Sequence, residues 1–251
     1  MKIIILAAGE GIRLRPYTLN KPKCMVEFNQ TPIIDRILSV ALFNQINEIV
    51  IVSGYNEEIL KNHLSNKNIR FYTNAMYNTT NMLYSLFCAE SEMNDDIIIS
   101  YGDIIYKNEI LKKPIDDQSP ISVVVDKEWR ELWSLRMEDP LKDAETMKIG
   151  KDGNIIELGK KPTSYNDIEG QYIGLIKIKK EALQKIIQFY KSLDREVFYD
   201  GKNFNNMYMT SFIQLLIDKV MPVKPVFIEG GWLEIDTVED LHNYKSKAVN
   251  I

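Results

Sequence analysis

The run from Ile3 to Ala7 is the feature that most limits the possible folds of this chain. It is continuously apolar and rich in β-branched residues, and Gly9 and Gly11 end it. Such a strand is typical of a parallel sheet that is covered on both faces. Helical segments, which are expected to begin at Thr31-Pro32 and at residues 56 and 80, alternate with further apolar runs at residues 48–53, 69–72 and 96–100. This alternation predicts βαβ units, and therefore an α/β fold with a mostly parallel central sheet flanked by helices.

The second half of the chain differs, because short apolar stretches surround the turn Lys151-Asp152-Gly153-Asn154. This pattern predicts an inserted β-hairpin within residues 148–158. Strands are expected at residues 121–125, 172–178 and 223–228, and helices at residues 180–193, 208–220 and 238–247. Since no repeat or low-complexity linker interrupts the chain, we expect a single domain over residues 1–251 with halves 1–110 and 111–251.

Composition excludes several functional classes. The 251 residues carry a net charge of −4, so we expect no broad basic surface for nucleic acid or for a membrane. Two cysteines and two histidines offer neither a disulfide framework nor a zinc-ligand spacing. The first apolar run is too short for a signal peptide, and no run reaches the ~18 apolar residues of a membrane span. We therefore expect a cytoplasmic protein, and the sequence indicates no particular oligomeric state.

The loop after the first apolar run has features of a phosphate-binding turn. Small residues there would let backbone N–H groups approach a phosphate or a base closely: Ala7, Ala8, Gly9 and Gly11. Four cations follow within eleven residues, at the charge density that a triphosphate requires: Arg13, Arg15, Lys21 and Lys23. The alternative is a tight turn followed by a solvated basic stretch. The segment has neither the third glycine of a dinucleotide-binding fingerprint nor the Gly-Lys-Ser/Thr of a Walker loop.

Three acidic residues are candidate metal ligands. Asp103 follows a buried strand and Gly102, at the sheet edge where open α/β folds bind ligands. Glu234 and Asp236 lie two residues apart on an extended segment and so share a face. Carboxylate oxygens suit Mg²⁺, which one or two carboxylates and substrate phosphates usually hold. The alternatives are a turn-forming role for Asp103 and a helix-capping role for Asp236 or Thr237.

Residues 6–23 match the signature L-A-A-G-x-G-x-R-L-x-P-x-T-x-x-x-P-K at every fixed position. They closely resemble the nucleotidyltransferase superfamily with a GT-A-like, Rossmann-like fold. That superfamily includes sugar-1-phosphate nucleotidylyltransferases and bacterial choline-phosphate cytidylyltransferases. The resemblance implies that Arg13 and Lys23 contact phosphates and that Lys23 is the main transition-state stabiliser. It also implies a set of nucleotide-binding residues around the triphosphate, in the half 1–110: Leu6, Ala7, Ala8, Gly9, Glu10, Gly11 and Gly102.

Residues 232–240 resemble the W-x-E-[IV]-D-[ST]-x-x-D element of the same superfamily. This resemblance implies a magnesium site, which Mn²⁺ could also occupy, formed by Asp103, Glu234 and Asp236. The turn at Asn78, Thr79, Thr80 and Asn81 lacks the glycine-rich stretch of sugar enzymes and resembles the choline-phosphate cytidylyltransferase branch. It favours CTP, and its polar groups could read a pyrimidine edge. Helix capping by Thr79 or Thr80 is the alternative reading.

Aromatic and basic residues in the half 111–251 are candidates for binding the second substrate. Trp129 and Trp133 lie four residues apart and could attract an ammonium group by cation–π contact, while an arginine could hold a phosphate. The candidate acceptor-binding residues are Trp129, Arg130, Trp133, Arg136, Tyr172 and Tyr208. The alternative is a surface helix whose tryptophans pack on the sheet.

Together these features predict a Mg²⁺-dependent cytidylyltransferase. It would transfer CMP from CTP to a small amine-bearing phosphate or phosphonate and release pyrophosphate. The candidate acceptors are phosphocholine, 2-aminoethylphosphonate and a phosphorylated amino-acid amide such as glutamine phosphate. Two alternatives are a sugar-1-phosphate nucleotidylyltransferase that uses UTP, dTTP or GTP, and a nucleotide-binding regulatory module without turnover.

Overall fold

The computed structural model describes residues 1–247, so the last four residues of the predicted domain lie outside the described range. The strands are β1 (Lys2–Ala7), β2 (Glu27–Phe28), β3 (Thr31–Pro32), β4 (Glu48–Ser53), β5 (Ile69–Thr73), β6 (Ile97–Tyr101), β7 (Ile104–Tyr106), β8 (Ile121–Asp126), β9 (Met147–Ile149), β10 (Ile155–Leu158), β11 (Gln171–Ile178), β12 (Lys224–Ile228) and β13 (Trp232–Glu234). The α-helices are α1 (Ile33–Phe43), α2 (Glu57–His63), α3 (Met82–Cys88), α4 (Asn108–Asp116), α5 (Trp129–Arg136), α6 (Lys180–Ser192), α7 (Met209–Lys219) and α8 (Val238–Ser246).

A seven-stranded sheet in the order β12-β8-β11-β6-β1-β4-β5 forms the centre of the fold. Strand β11 runs antiparallel to both of its neighbours, while β1, β4, β5 and β6 pair in parallel and β12 pairs in parallel with β8. The predicted α/β fold with a mostly parallel sheet is therefore confirmed. Because β1 and β6 are parallel neighbours, the loops after them lie side by side at one edge of the sheet.

Helices cover both faces of this sheet, as the alternating pattern of the sequence requires. Ile3 and Ile5 belong to a buried cluster shared with α1, α2, α4, α5 and α8. Ile4 and Leu6 point the other way, into a cluster shared with α3, α6 and α7. Every residue of β1 is buried, which explains why its sequence is a continuous apolar run rather than an alternating one. No helix within residues 1–247 has the length and apolar character needed to cross a bilayer.

Three small antiparallel strand pairs lie outside the central sheet. The predicted hairpin is present as β9 and β10. The helix that was expected to begin at Thr31-Pro32 begins at Ile33 instead, because Thr31 and Pro32 pair with Glu27 and Phe28 in a short hairpin. A further pair, β7 with β13, places Glu234 opposite Ile104. This pairing brings the segment around residue 234 beside the end of β6, although the two segments are far apart in sequence.

Candidate active site

The glycine loop leaves the end of β1 and packs directly against the segment that carries Lys23. Gly11 has a φ of 64°, and a Cβ there would lie 3.0 Å from the Lys23 Cβ and 3.1 Å from the Thr18 Cγ2. The Thr18 hydroxyl, which belongs to a fully buried side chain, donates to the Gly11 carbonyl at 2.7 Å. Glycine is therefore needed at position 11 both for its backbone conformation and for this close approach. The loop is therefore closely packed against Lys23.

Lys23 lies between two of the predicted metal ligands. Its Nζ donates to Asp103 Oδ2 and to Asp236 Oδ1, each at 2.6 Å, and Arg13 forms a further ion pair with Asp236. Burial acts to lower the pKa of Lys23, but the carboxylates of Asp103 and Asp236 outweigh it and raise this pKa above its ordinary value. Burial likewise acts to raise the pKa of Asp236, which the charge of Lys23 nevertheless holds below its ordinary value. The site thus contains a compact cluster of two cations and two carboxylates.

Glu234 belongs to a second ion-pair network, which lies behind the first. The buried guanidinium of Arg136 bonds to Glu234 through Nη1 and to Asp240 Oδ1 through Nε at 3.0 Å. Asp240 in turn accepts from the backbone N–H groups of Asp236 and Thr237, each at 2.9 Å, in a capping box at the start of α8. Burial raises the pKa of Glu234 to about 7 although Arg136 opposes the shift. Arg136 therefore holds the acidic segment through two carboxylates and lines neither cavity, so its acceptor-binding role stays a prediction.

The carboxylates fit a magnesium ion in part. Within residues 1–247, no three acidic, cysteine or histidine side chains converge closely enough to hold a metal as they stand. Two carboxylates do converge, however, and Asp103 Oδ1 is buried without a hydrogen-bond partner. Because Mg²⁺ is commonly held by one or two carboxylates together with substrate phosphates, Asp103 and Asp236 are a suitable donor pair. Glu234, the third predicted ligand, is held by Arg136.

A cavity of about 360 Å³, here called the nucleotide cavity, opens above the glycine loop. The sequence-predicted residues that line it are Leu6, Ala7, Ala8, Gly9, Glu10, Gly11, Arg13, Lys23, Asn78, Thr80, Asn81, Gly102, Asp103 and Asp236. Thr79 does not line it. Sequence reasoning missed Ile12, Cys24, Tyr77, Met82 and Ser85, which also contribute to its wall. The Gly102 N–H donates to the Leu6 carbonyl at 3.0 Å, so the two loops that form this wall are bonded to each other.

A buried asparagine organises the polar turn of the nucleotide cavity. The Asn74 side chain, from a residue that is 1% exposed, donates to Thr80 Oγ1 and to Ser85 Oγ at 2.9 Å and accepts from the Met76 N–H at 2.9 Å. Asn81 caps helix α3 by accepting from the Met82 N–H at 2.8 Å. The alternative reading, in which Thr79 or Thr80 caps the helix, is therefore wrong, because Asn81 is the cap. Sequence reasoning missed Asn74, since it lies outside the turn that resembles the family.

A second cavity, of about 330 Å³ and here called the acceptor cavity, adjoins the first. Both cavities share Arg13, Asn81 and Met82 in their walls. Three of the six predicted acceptor-binding residues line the acceptor cavity: Trp133, Tyr172 and Tyr208. The sequence missed several others: Asp143, Glu145, Gln171, Thr210 and Trp232. These belong to no recognisable motif, because they come from separate elements that the fold brings together.

Trp129 and Arg130 lie outside both cavities. Trp129 is 5% exposed and packs with its ring centroid 5.8 Å from that of Trp133. The Arg130 guanidinium lies over the Tyr165 ring, with Cζ at 3.8 Å from the ring centroid. The prediction that Trp129 and Trp133 share one helix face is correct, but that face is largely the hydrophobic core, so the packing alternative holds for Trp129.

The family follows from comparison with known proteins. The sequence matches the family model described as nucleotidyl transferase over residues 2–250. The chain therefore belongs to the nucleotidyl transferase family, which confirms the predicted superfamily and enzyme class.

The relatives are similar over almost their whole length. The chain is 48% identical over 248 residues to CTP:phosphoglutamine cytidylyltransferase of Campylobacter jejuni subsp. jejuni, covering 96% of this chain and 98% of that protein. It is 29% identical to choline-phosphate cytidylyltransferase of Streptococcus pneumoniae, over 96% of this chain and 95% of that protein. A solved structure of a CTP:phosphocholine cytidylyltransferase from Streptococcus pneumoniae has the same fold, with a TM-score of 0.74 at 23% identity over 98% of each chain.

Proposed function

We propose that this chain transfers CMP from CTP to a small phosphorylated acceptor that carries an ammonium group, and that pyrophosphate is released. The observation that carries this proposal is the junction of the two cavities at Arg13, Asn81 and Met82, beside the cluster of Lys23 and its carboxylates. The relative at 48% identity is named for CTP and phosphoglutamine, which supports both the donor and the acceptor class. Phosphocholine and 2-aminoethylphosphonate belong to the same acceptor class.

The proposed reaction is a single displacement. An oxygen of the acceptor phosphate attacks the α-phosphorus of CTP and forms the new P–O bond. The bond between the α-phosphorus and the oxygen that bridges to the β-phosphate breaks, and its electron pair leaves with pyrophosphate. The acceptor phosphate is already anionic at neutral pH, so the step needs no protein base. Its rate then depends on positioning and on electrostatic stabilisation.

Lys23 and Arg13 supply that stabilisation in the proposed mechanism. Both line the nucleotide cavity, and both now neutralise the carboxylates of Asp103 and Asp236. With a triphosphate in the cavity, the same cations face the α-phosphate and the leaving pyrophosphate. Rigid packing of Lys23 against Gly11 limits the reorganisation that this exchange of partners requires.

A divalent metal belongs to this proposal, with Asp103 and Asp236 as the residues that would hold Mg²⁺ or Mn²⁺. When bound, the metal would neutralise phosphate charge and orient the two substrates. Glu234 lies in the wall of the acceptor cavity, and its participation requires its contact with Arg136 to open.

The test of the function is a substrate panel. Purified enzyme should release pyrophosphate from CTP with phosphoglutamine, phosphocholine or 2-aminoethylphosphonate. The best of these pairs should exceed UTP or dTTP with glucose-1-phosphate by at least about tenfold in kcat/KM. A tenfold advantage for a sugar pair would instead establish a sugar-1-phosphate nucleotidylyltransferase. Absence of pyrophosphate release with every pair would leave only a binding role.

The metal is tested by chelation and substitution. Activity should disappear in chelator and return with Mg²⁺ or Mn²⁺. Asp103→Asn and Asp236→Asn should each raise the metal concentration that gives half-maximal activity, because each removes a charged oxygen ligand. Asp95→Asn is the matched control, since Asp95 bonds to the N-terminal amine away from both cavities. Wild-type metal dependence in both test variants would place the metal elsewhere.

A further inference from the structure

The acceptor cavity contains a carboxylate for which the fold provides no counter-charge. Glu145 Oε1 accepts a weak hydrogen bond from the Thr210 hydroxyl at 3.4 Å. Within residues 1–247, no lysine, arginine or histidine forms an ion pair with this carboxylate, and the nearby charges of Asp143 and Asp200 repel it. Burial, together with these two charges, raises the pKa of Glu145 to about 7. A half-buried carboxylate among like charges is costly unless a cation joins it.

The backbone around Glu145 is rigidly held. The Glu145 N–H donates to Gln171 Oε1 at 3.0 Å, and Gln171 Nε2 donates back to the Glu145 carbonyl at 2.5 Å. Gln171 is 4% exposed and lies at the start of β11, so it ties Glu145 to the central sheet. The backbone of Glu145 is therefore held in place at the wall of the cavity, which limits the positions that its side chain must search on binding.

A second, independent feature of the same cavity also points to a ligand. Trp133 is 5% exposed and lines the acceptor cavity, yet its indole N–H has no hydrogen-bond partner in the part of the chain that the structure describes. Buried donors of this kind are almost always satisfied, so a ligand oxygen is the partner that the cavity lacks. The wall of the cavity thus includes a carboxylate without a counter-charge and a tryptophan whose N–H has no partner within residues 1–247.

We propose that Glu145 binds the primary ammonium of the acceptor molecule, and that the Trp133 N–H binds a carboxylate or carbonyl oxygen of the same molecule. This inference rests on the proposed function and specifies which acceptor class the site selects. A quaternary ammonium has no N–H to donate and would leave the second oxygen of Glu145 without a hydrogen bond. The acceptor is therefore a phosphorylated amino acid or amino-acid amide, in preference to phosphocholine.

Glu145 is tested with two acceptors that differ only at the ammonium group: phosphoglutamine and its Nα-acetyl derivative, both with saturating CTP. Glu145→Gln should lower kcat/KM for phosphoglutamine by roughly tenfold to hundredfold, the range for a hydrogen bond to a charged group. For the acetylated acceptor, which has no ammonium to lose, the same variant should change kcat/KM by less than about threefold. Glu145→Asp, which keeps the charge, should retain the preference for phosphoglutamine. Glu138→Gln is the control at an exposed position outside both cavities.

Trp133 is tested with an acceptor that has an ammonium but no carboxylate or carbonyl, namely phosphoethanolamine. Trp133→Phe should lower kcat/KM about threefold to tenfold for phosphoglutamine and leave that for phosphoethanolamine nearly unchanged. The KM for CTP serves as the check of folding in every variant. An equal loss with both acceptors of a pair would show that the residue supports the structure only.

The outcomes separate this inference from the function on which it rests. If wild-type enzyme transfers CMP to phosphorylated acceptors but Glu145→Gln affects phosphoglutamine and its acetyl derivative equally, the ammonium assignment is overturned and the cytidylyltransferase stands. A preference of the wild type for phosphocholine over phosphoglutamine also overturns the assignment. If no acceptor supports pyrophosphate release from CTP, both proposals fall.

Discussion

The two cavities of the candidate active site are built in different ways. The nucleotide cavity takes most of its wall from a few continuous segments around residues 6–13, 77–82 and 102–103. The acceptor cavity instead combines side chains from α5, β11, α7, β13 and the segment before β9. Continuous segments keep their geometry as units, whereas the acceptor cavity can change one residue at a time.

The cavities also differ in their charge balance. In the nucleotide cavity the cations Lys23 and Arg13 are already paired with carboxylates, so an anionic substrate has to compete for them. In the acceptor cavity the carboxylate of Glu145 has only acidic residues as its charged neighbours, namely Asp143 and Asp200. The nucleotide cavity therefore presents its cations to phosphates only when they leave these carboxylates, whereas the acceptor cavity already offers a negative group to an ammonium.

The largest expected effect concerns Arg136, whose charge could either stabilise the fold or bind the substrate. Arg136→Met should reduce the free energy of unfolding by about 3–5 kcal/mol, because it leaves the buried carboxylate of Asp240 without its charge partner. Urea denaturation measures this effect. Arg130→Met is the matched control and should cost less than about 1 kcal/mol, since Arg130 stacks on Tyr165 at the surface. A fully stable Arg136→Met enzyme with a raised KM for the acceptor would support the phosphate-binding role that the sequence suggested.

The second prediction concerns Lys23 and its proposed role in stabilising the transition state. Lys23→Ala should lower the rate of nucleotidyl transfer by ~10²-fold or more, the scale for the loss of one preorganised charge-stabilising donor. Single-turnover kinetics with saturating CTP and acceptor would measure this step. Lys21→Ala is the control, because Lys21 pairs with Glu27 at 3.5 Å outside the cavity. Near-normal turnover in Lys23→Ala would remove this lysine from the mechanism.

A larger share of the residues that were expected to bind the nucleotide lines a cavity than of those that were expected to bind the acceptor. Periodicity sufficed for the sheet, because short-range patterns determine strands and helices, and the resemblances at residues 6–23 and 232–240 identified Lys23 and Asp236 as candidate site residues. The direct contacts of Lys23 with Asp103 and Asp236 emerge only from the fold. The ion-pair partners of Arg136 could not be predicted from sequence patterns. Residues 234 and 240 contact Arg136 only because of the β7–β13 pairing and the position of the start of α8. Helical spacing placed Trp129 and Trp133 on one face but could not show which of them reaches a cavity.

Asn74 tests whether the polar turn of the nucleotide cavity must be held in place. Asn74→Ala removes three side-chain hydrogen bonds and leaves buried partners unsatisfied, so it should raise the KM for CTP by an amount equivalent to about 1–3 kcal/mol. The KM for the acceptor and the rate at saturating CTP should change little, which distinguishes positioning from catalysis. Asn47→Ala, at an exposed position, is the control. An equal rise in both KM values would indicate general loosening of the fold instead.

The smallest effect concerns pH and the acceptor cavity. A carboxyl group with a pKa of about 7 is mostly ionised at pH 8 and mostly protonated at pH 6, so the attraction of Glu145 for an ammonium weakens as the pH falls. The groups that act on it are the carboxylates of Asp143 and Asp200, which raise its pKa, and the Thr210 hydroxyl, which acts to lower it. The ratio of kcat/KM for phosphoglutamine to that for its Nα-acetyl derivative should therefore fall by roughly tenfold between pH 8 and pH 6. Taking the ratio cancels the titration of the phosphate, which both acceptors share. In Glu145→Gln the ratio should not vary with pH, and a ratio that falls equally in that variant would assign the dependence to a different group.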